Sequence, residues 1–349
     1  MSTPESATHP DARRLNRPAK AVFLDAASLG DDLDLDELAG ACDRLTCHAF
    51  TEPEQVLERV ADHDIAICNK SRIDAKVLVR AAHLKLVLVT ATGVNNVDVQ
   101  AASRLGVEVR NCRDYGTAAV AQHTLMLMLA LHTRVFDYQS AMRDGAWQRA
   151  ANFCLLDYPI LELAGRRLGI VGRGPIGQAV ASLARAFGMQ VVFAQLPGRP
   201  AAADTVSWDR LLPSVDVLSL HCPLNEPTRH LINAQVLATM RKGAMLINTA
   251  RAGLIDAPAL IAALRSGHLG GAAMDGLDVE PPREGHVLLD PTLPRFILTP
   301  HTAWASQQAR QRLVKQTVEN LQTWRHGEAL HIVTPDPRTY YETTHGEQR

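Results

Sequence analysis

The chain has 349 residues, of which 46% are hydrophobic and 21% are charged, and its formal net charge is -1. This composition is typical of globular proteins, and the length is sufficient for about two domains. The balanced charge gives no reason to expect nucleic acid or a membrane as a partner. The longest apolar run, residues 125–131, is far shorter than the roughly 20 residues of a membrane span.

The first 19 residues are rich in Ser, Thr, Pro, Ala and Arg and contain no apolar core of a signal peptide. We expect them to form a disordered tail. The six cysteines lack C-x-x-C spacing, which predicts reduced thiols in a cytoplasmic protein. Neither these cysteines nor the fourteen histidines show the spacing of a metal site, so we expect no metal.

From residue 20 to residue 112, short apolar runs alternate with helical patterns. The strand candidates are residues 21–25, 65–68, 84–90 and 107–112, and the helix candidates between them are residues 54–60, 75–82 and 97–105. Alternation of this kind predicts a parallel sheet with helices on both faces. We therefore expect residues 20–115 to form a first α/β domain.

A long helix is predicted to begin at Gly116 and Thr117, with Thr117 as its N-cap, and to continue to about residue 143. Its central residues, 125–131, are apolar on every side, so the helix should be buried all round. A position between two domains or at a subunit interface meets this requirement. An ordinary core helix in one large domain meets it equally well.

A glycine-rich turn follows the apolar run 168–171. Its spacing is Gly172-x-Gly174-x-x-Gly177, and a helical pattern over residues 176–187 comes directly after it. In a dinucleotide-binding turn the first glycine forms the tight bend, the second lets the backbone approach a pyrophosphate, and the third lets helix and strand pack closely. A tight turn without any ligand can have the same spacing, so the turn alone does not decide the function.

The alternation of strands and helices resumes beyond this turn. The strand candidates are residues 190–194, 215–221, 244–249, 271–275 and 296–299, and the helix candidates are residues 233–240, 257–266 and 303–325. This pattern predicts a doubly wound dinucleotide-binding domain over residues 116–300. We expect it to be inserted into the other domain, which would resume over residues 301–349.

Three polar residues follow predicted strands of this second domain, where parallel sheets bind their ligands: Arg251, Glu280 and His301. Each has an ordinary alternative, namely a surface arginine, a solvated acid and a buried histidine. Together they supply what the reduction of a 2-oxo acid requires. The histidine can donate a proton, the carboxylate can favour and orient its imidazolium form, and the arginine can bind the substrate carboxylate.

With these motifs the chain resembles the D-isomer-specific 2-hydroxyacid dehydrogenases, from about Val22 to the end of the last helix. The motifs that carry the resemblance are residues 91–98, 172–177, 248–253, 275–282 and 299–304. The resemblance implies an α/β fold of two doubly wound parallel-sheet domains, with a Rossmann domain inserted into a flavodoxin-like substrate domain. It also implies NAD as cofactor, a small 2-hydroxy or 2-oxo acid as substrate, and a homodimer formed through the helix from Thr117 and residues 147–163.

The resemblance further implies roles for individual residues. Gly93 and Val94 would bind the substrate carboxylate through their backbone N–H groups, together with Arg251 and His301, and His301 would be the acid/base. Asp275 would bind the nicotinamide amide. The implied cofactor contacts are Gly172, Gly174, Pro175, Ile176, Gly177, Gln195, His221, Cys222, Pro223, Thr249, Ala250 and Asp275.

Within the family, residues 115–123, residues 153–158 and Trp304 most resemble glycerate dehydrogenases, also called hydroxypyruvate reductases. This favours D-glycerate and hydroxypyruvate, or glycolate and glyoxylate, as the substrate pair. Oxidation of D-3-phosphoglycerate or of D-lactate remains an alternative. Another is a non-catalytic scaffold that senses NAD(H), because fold alone does not determine function.

Two residues depart from the usual pattern. Gln195 stands where an NAD-binding domain normally has an acid for the ribose 2′-hydroxyl, and Pro175 stands where the family often has arginine. Arg199 could reach a 2′-phosphate or could be an exposed loop residue, and Arg173 could supply a charge or face solvent. We predict that NAD is preferred with incomplete discrimination, so NADP is not excluded.

Overall fold

The computed structural model describes residues 19–196, 202 and 204–334. The chain divides into two units, one formed by Met1–Tyr115 with Gln307–Arg349 and the other by Gly116–Ser306. Arg199 lies outside the described residues, and so does the predicted tail except for Ala19. Ala19 is buried and its N–H donates to the Asp43 carboxylate at 2.6 Å, so the tail predicted for residues 1–19 cannot include it.

The first unit contains, among the described residues, one sheet of five parallel strands in the order β2-β1-β3-β4-β5. Its elements are β1 (Lys20–Phe23), α1 (Asp36–Ala41), β2 (Arg44–Cys47), α2 (Val56–Val60), β3 (Ile65–Cys68), α3 (Ala75–Arg80), β4 (Leu86–Val89), α4 (Val99–Arg104) and β5 (Glu108–Arg110). The order is that of a flavodoxin-like sheet. All residues of β3 and β4 are buried, as expected for strands covered on both faces.

The second unit contains a sheet of seven parallel strands in its described residues, in the order β12-β11-β10-β9-β6-β7-β8. Its elements are α5 (Thr117–Thr133), α6 (Val135–Arg143), β6 (Arg167–Val171), α7 (Pro175–Ala186), β7 (Gln190–Ala194), β8 (Thr205–Val206), α8 (Trp208–Leu211), β9 (Val217–Leu220), α9 (Ala234–Thr239), β10 (Met245–Asn248), α10 (Ala257–Arg265), β11 (Gly271–Asp275) and β12 (Phe296–Thr299). Counted from β6, this is the Rossmann order with one further strand. The predicted fold class is confirmed.

The single helix predicted from Thr117 to about residue 143 is wrong in two respects. Gly116 is the N-cap and Thr117 the first helical residue. The helix also breaks at Arg134, whose left-handed backbone (φ 55°, ψ 33°) separates α5 from α6. The Arg134 side chain stabilises this break, because it bonds Asp137 at 2.6 Å and lies over the Tyr158 ring.

Helix α5 is less buried than its sequence predicts. Leu127 and Met128 are fully buried, but Met126 is 39% exposed and Leu125 and Leu129 are only half-buried. In the described part of the chain, no helix combines the length and the apolar character that crossing a membrane requires.

The last helix, α11 (Gln307–Arg325), belongs to the first unit and begins four residues later than predicted. The second unit therefore extends through Ser306, although the sequence placed its end at residue 300. The reason is local: the N–H groups of Thr302 and Ala303 donate to the Asp275 carboxylate at the end of β11, which keeps this segment in the second unit.

Candidate active site

The three glycines of the turn after β6 meet different structural requirements. Gly172 has a φ of 110°, and a Cβ there would collide with the His221 carbonyl. A Cβ on Gly177 would collide with the Gly172 carbonyl oxygen. Gly174 has an ordinary φ of -67°, and apart from its chain neighbours no described residue has an atom within 4 Å of a Cβ built there. Open space at the second glycine is what the approach of a pyrophosphate requires.

Helix α7 begins directly behind this space. Pro175 occupies its first turn, where a missing N–H removes no helical hydrogen bond. The N–H groups of Ile176 and Gly177 lie in the same first turn, at the end of the helix that carries partial positive charge. The residues of the turn therefore fit the diphosphate of a dinucleotide.

Five neighbouring strands bring their carboxyl ends to this same edge. The paired positions Val171, Leu220, Asn248, Met274 and Leu298 run across β6, β9, β10, β11 and β12. The residues that follow these positions include most of those that the sequence singled out in this unit: Gly172, His221, Cys222, Pro223, Thr249, Ala250, Arg251, Asp275 and His301. The topology thus gathers them at one edge of one sheet.

His301 and Glu280 form a hydrogen-bonded pair. Nδ1 of His301 lies 2.6 Å from Oε2 of Glu280, while Oε1 accepts the N–H of Leu277 at 2.7 Å. Gly276, with a φ of 101°, leaves room for the pair, since a Cβ there would collide with Oε1 and lie 3.4 Å from the His301 ring. Because Nδ1 faces the acid, Nε2 is the ring nitrogen left for exchanging a proton with a substrate.

Asp275 holds the segments on both sides of His301. Its buried carboxylate accepts hydrogen bonds from the Thr299 hydroxyl at 2.6 Å and from the N–H groups of Thr302 and Ala303 at 2.9 and 2.8 Å. The sequence resemblance assigns Asp275 to the nicotinamide amide, and three of its acceptor positions are already used within the protein. Only the register of β11 and β12, which pairs Asp275 with Thr299, could have indicated these contacts.

His123 extends this network from α5. Its Nε2 lies 3.0 Å from the Thr299 hydroxyl oxygen, which itself donates to Asp275. Burial lowers the pKa of His123, against the opposing charge of Asp275, which favours a neutral ring donating from Nε2. This gives a hydrogen-bond chain from His123 through Thr299 to Asp275.

Arg251 is exposed, and its guanidinium donates to the carbonyl of its neighbour Ala250 at 2.7 Å. The structure places it at the same edge but does not hydrogen-bond it to Glu280 or His301. The turn that carries it is held by Asn248, which donates to the Arg251 carbonyl and accepts the Ala250 N–H. Thr249 is bound through its hydroxyl to that of Thr124 at 2.9 Å. Sequence reasoning did not identify Asn248 as the residue that shapes this turn.

His221 and Cys222 contribute no charge to the edge at neutral pH. Burial lowers the pKa of His221 to about 4, and its Nε2 lies 2.8 Å from the Ser219 hydroxyl. Burial also raises the pKa of the Cys222 thiol to about 11. Pro223, which follows, is exposed.

Gln195 follows β7, and its N–H donates to the Val206 carbonyl at 2.9 Å. Arg173, for which the sequence left a charge contact and solvent exposure open, pairs with Asp204 through two hydrogen bonds of 2.6 Å each. Sequence reasoning missed Asp204.

In the first unit, Gly93 and Val94 lie in a loop after β4 that is fixed by two asparagines. Asn111 donates to the Thr92 carbonyl at 2.7 Å, and Asn96 donates to the Ser71 carbonyl at 3.0 Å. Within the described part of this unit, no acceptor takes the N–H of Gly93 or of Val94.

No three His, Cys, Asp or Glu side chains among the described residues are grouped as a metal site requires. The second unit has a glycine turn that fits a diphosphate and an acid–histidine pair, both at one edge of its Rossmann sheet. This combination defines a dehydrogenase that uses a nicotinamide dinucleotide.

Comparison with known proteins identifies the family. Residues 125–303 match the profile described as "D-isomer specific 2-hydroxyacid dehydrogenase, NAD binding domain". The chain is 38% identical over 314 residues to the glycerate dehydrogenase of Methylorubrum extorquens, covering 90% of this chain and 98% of that protein. It is 35% identical over 321 residues to the hydroxypyruvate reductase of Blautia hydrogenotrophica, with coverages of 90% and 99%.

A solved structure of similar fold is that of the TT0316 protein from Thermus thermophilus. The TM-score is 0.79 at 38% sequence identity, and the match covers 90% of this chain and 99% of that one. The chain belongs to the D-isomer-specific 2-hydroxyacid dehydrogenase family, as its motifs predict. It is an oxidoreductase of 2-hydroxy acids that uses a nicotinamide dinucleotide.

Proposed function

We propose that this enzyme is an NADH-preferring reductase of hydroxypyruvate or glyoxylate, acting reversibly on D-glycerate or glycolate. The pair of His301 and Glu280 carries the proposal, because it supplies a proton donor with a fixed orientation at the edge of the sheet where we propose that the reaction takes place. The names of the two curated relatives support the choice of a small hydroxylated acid.

In the proposed reaction the reduced nicotinamide supplies a hydride to C2 of the 2-oxo acid. Nε2 of His301 donates a proton to the carbonyl oxygen as negative charge develops there, which gives the 2-hydroxy acid. Glu280 holds the ring through Nδ1 and fixes its orientation. Arg251 and the N–H groups of Gly93 and Val94 bind the substrate carboxylate, and Arg251 also polarises the carbonyl.

The cofactor is held by the edge of the second unit. The turn from Gly172 to Gly177 binds the diphosphate. Asp275 binds the nicotinamide amide through carboxylate lone pairs that Thr299, Thr302 and Ala303 do not use. The remaining proposed contacts are Gln195, His221, Cys222, Pro223, Thr249 and Ala250. An amide at Gln195 can bond a ribose hydroxyl but cannot repel a 2′-phosphate by charge, so we propose NAD preference with incomplete discrimination.

Parallel substrate assays test this proposal. The purified enzyme is given NADH or NADPH with hydroxypyruvate, glyoxylate, pyruvate or 3-phosphohydroxypyruvate, and the loss of cofactor absorbance gives kcat/KM for each pair. We expect the highest value for hydroxypyruvate or glyoxylate with NADH. Preference for pyruvate or the phosphorylated acid would assign a different substrate. Binding of NADH without any turnover would favour a scaffold.

We also propose a homodimer in the cytoplasm. The segment 147–163 exposes large apolar side chains, with Phe153 90% and Leu156 80% exposed, and α5 exposes Met126. Large apolar side chains exposed to this extent support a protein interface on these segments. The six cysteines are free thiols, which suits a reducing compartment. Sedimentation of wild type and of a Phe153→Asp, Leu156→Asp variant tests the dimer, which the variant should dissociate.

A further inference from the structure

Arg173 links the two strands that flank β7. It lies in the glycine turn after β6, and its guanidinium is 5.2 Å from the centre of the Phe193 ring on β7. Beyond that ring it meets Asp204, which comes directly before β8, and each Nη lies 2.6 Å from one carboxylate oxygen. Strand β8 is paired with β7 so that Thr205 lies opposite Phe193. The guanidinium therefore lies across β7, near its carboxyl end.

This is the position at which a Rossmann domain distinguishes its two cofactors. The residue after the second strand is usually an acid that binds the ribose 2′-hydroxyl and repels a 2′-phosphate, whereas an arginine nearby accommodates that phosphate. Here the residue is Gln195, and an arginine, Arg173, is present. By these two residues alone the edge should accept NADP.

Asp204 changes that expectation. Two parallel hydrogen bonds to a carboxylate use the same fork of donors with which a guanidinium binds a phosphate. A 2′-phosphate therefore has to displace Asp204 from Arg173, and it would then lie beside the displaced carboxylate. The 2′-hydroxyl of NAD carries no charge and requires neither step.

We propose that Asp204 determines the preference for NAD over NADP, by holding Arg173 in this ion pair and supplying the negative charge that Gln195 lacks. The inference rests on the proposed binding of NAD(H) at the glycine turn. The side chains of Arg173 and Asp204 are 37% and 61% exposed, so the pair is hydrated and of modest strength. The discrimination it provides is correspondingly moderate, about threefold to fivefold.

The test measures cofactor affinity directly, by titration calorimetry of the full-length protein with NADH and with NADPH. The variant is Asp204→Asn, which keeps the shape of the side chain and removes its charge. We expect the Kd for NADPH to fall about threefold to fivefold and the Kd for NADH to change less than about 1.5-fold. The ratio of kcat/KM values for the two cofactors should shift in the same direction.

Two further variants identify the cause. Adding Arg173→Gln to Asp204→Asn should remove the gain in NADPH affinity, because the released arginine is what binds the 2′-phosphate. Asp290→Asn is the matched control, since Asp290 pairs with Arg265 at 2.7 Å elsewhere in the same unit and its removal changes the net charge equally. That variant should leave the ratio of the two affinities unchanged.

The outcomes separate this inference from the proposed function. An unchanged NADPH affinity in Asp204→Asn, a gain that persists without Arg173, or an equal gain in Asp290→Asn overturns the inference while NADH still binds and is turned over. Failure of the wild-type protein to bind either cofactor would instead overturn the proposed function.

Discussion

The two sheets follow the same topological rule, but the residues at their ligand-binding edges differ. Each is parallel and doubly wound, and each has a point where the strand order reverses, between β1 and β3 in the first unit and between β6 and β9 in the second. Open α/β sheets bind ligands in the crevice at this point. The chain fills one of these crevices itself and leaves the other open.

In the first unit an internal carboxylate occupies the crevice. Asp25 follows β1, and its buried side chain accepts the N–H groups of Asn69, Lys70 and Ser71 after β3, at 2.7 to 2.8 Å, together with the Ser71 hydroxyl. Successive N–H groups of this kind form a typical anion site. Here the anion is a side chain of the same chain.

In the second unit the described residues, apart from the chain neighbours of Gly174, place no atom within 4 Å of a Cβ at the corresponding position, Gly174. The comparison shows that topology locates two possible crevices but does not choose between them. The choice depends on whether the chain provides its own anion. Four expected results test this contrast, beginning with the largest effect.

Replacement of His301 by Asn should reduce kcat by about 10²- to 10⁴-fold, because the proton donor at the open edge is lost. Asparagine suits the left-handed backbone of residue 301, where φ is 56°, better than most residues do. The affinity for NADH, measured by calorimetry, should stay within about twofold of wild type. A variant that mainly loses NADH affinity would show that His301 binds the cofactor and is not the acid/base.

Replacement of Asp25 by Ala should lower the free energy of unfolding by about 3 kcal/mol, since buried N–H groups lose their acceptor. Urea unfolding followed by circular dichroism measures the loss. Asp25→Asn retains one acceptor oxygen and should lose less. If Asp25→Ala unfolds no more readily than wild type, the carboxylate does not stabilise the crevice of the first unit.

Replacement of Gly174 by Val should weaken NADH binding by about tenfold, or about 1.4 kcal/mol, because the side chain enters the space of the diphosphate. The urea midpoint should fall only slightly, by the roughly 1 kcal/mol or less that loss of an N-cap glycine costs, since the described residues place no atom within 4 Å of the new Cβ. Gly177→Ala is the contrasting variant, because its Cβ collides with a backbone oxygen and should lower stability. Wild-type NADH affinity in Gly174→Val would argue against the proposed diphosphate position.

The smallest effect concerns His221. Burial lowers its pKa from 6.5 to about 4, so between these values the unfolded chain binds a proton that the folded chain does not. Stability therefore falls as the pH is lowered through this window, by about 1 kcal/mol between pH 7 and pH 5.5 from this group. His221→Gln should show a correspondingly shallower fall in urea unfolding across those pH values. Identical slopes for variant and wild type would show that His221 is not buried in its neutral form.

The sequence predicts most clearly the elements whose cause is local. The bounds predicted for β3, β7, β11 and β12 agree with the structure residue for residue. Each is a mainly apolar run with a clear end, whether it is fully buried, as β3 and β11 are, or only partly buried, as β7 and the edge strand β12 are. The edge strands β2 and β8 are short and partly polar, and no sequence pattern separated them from loops.

The same distinction applies to the candidate site. Arg251, Glu280 and His301 could be found because each follows a recognisable strand, and the glycine turn because its spacing is local. The contacts of Asp25 and Asp204 could not be found in this way. Asp25 meets its partners 44 to 46 positions along the chain, and Asp204 meets Arg173 31 positions away. Only the folded chain determines which residues these carboxylates contact.

The anchoring of His301 by Asp275 has a consequence for the rate of the proposed reaction. The ring is 31% exposed, yet the backbone after it is tied to a buried carboxylate, and Glu280 holds its Nδ1. The imidazole is therefore already ordered in the folded protein, and its ordering adds no free-energy cost to the reaction step. In either direction of the proposed reaction the imidazole can stay in place while it gives or takes the proton, so the barrier contains little reorganisation of this side chain.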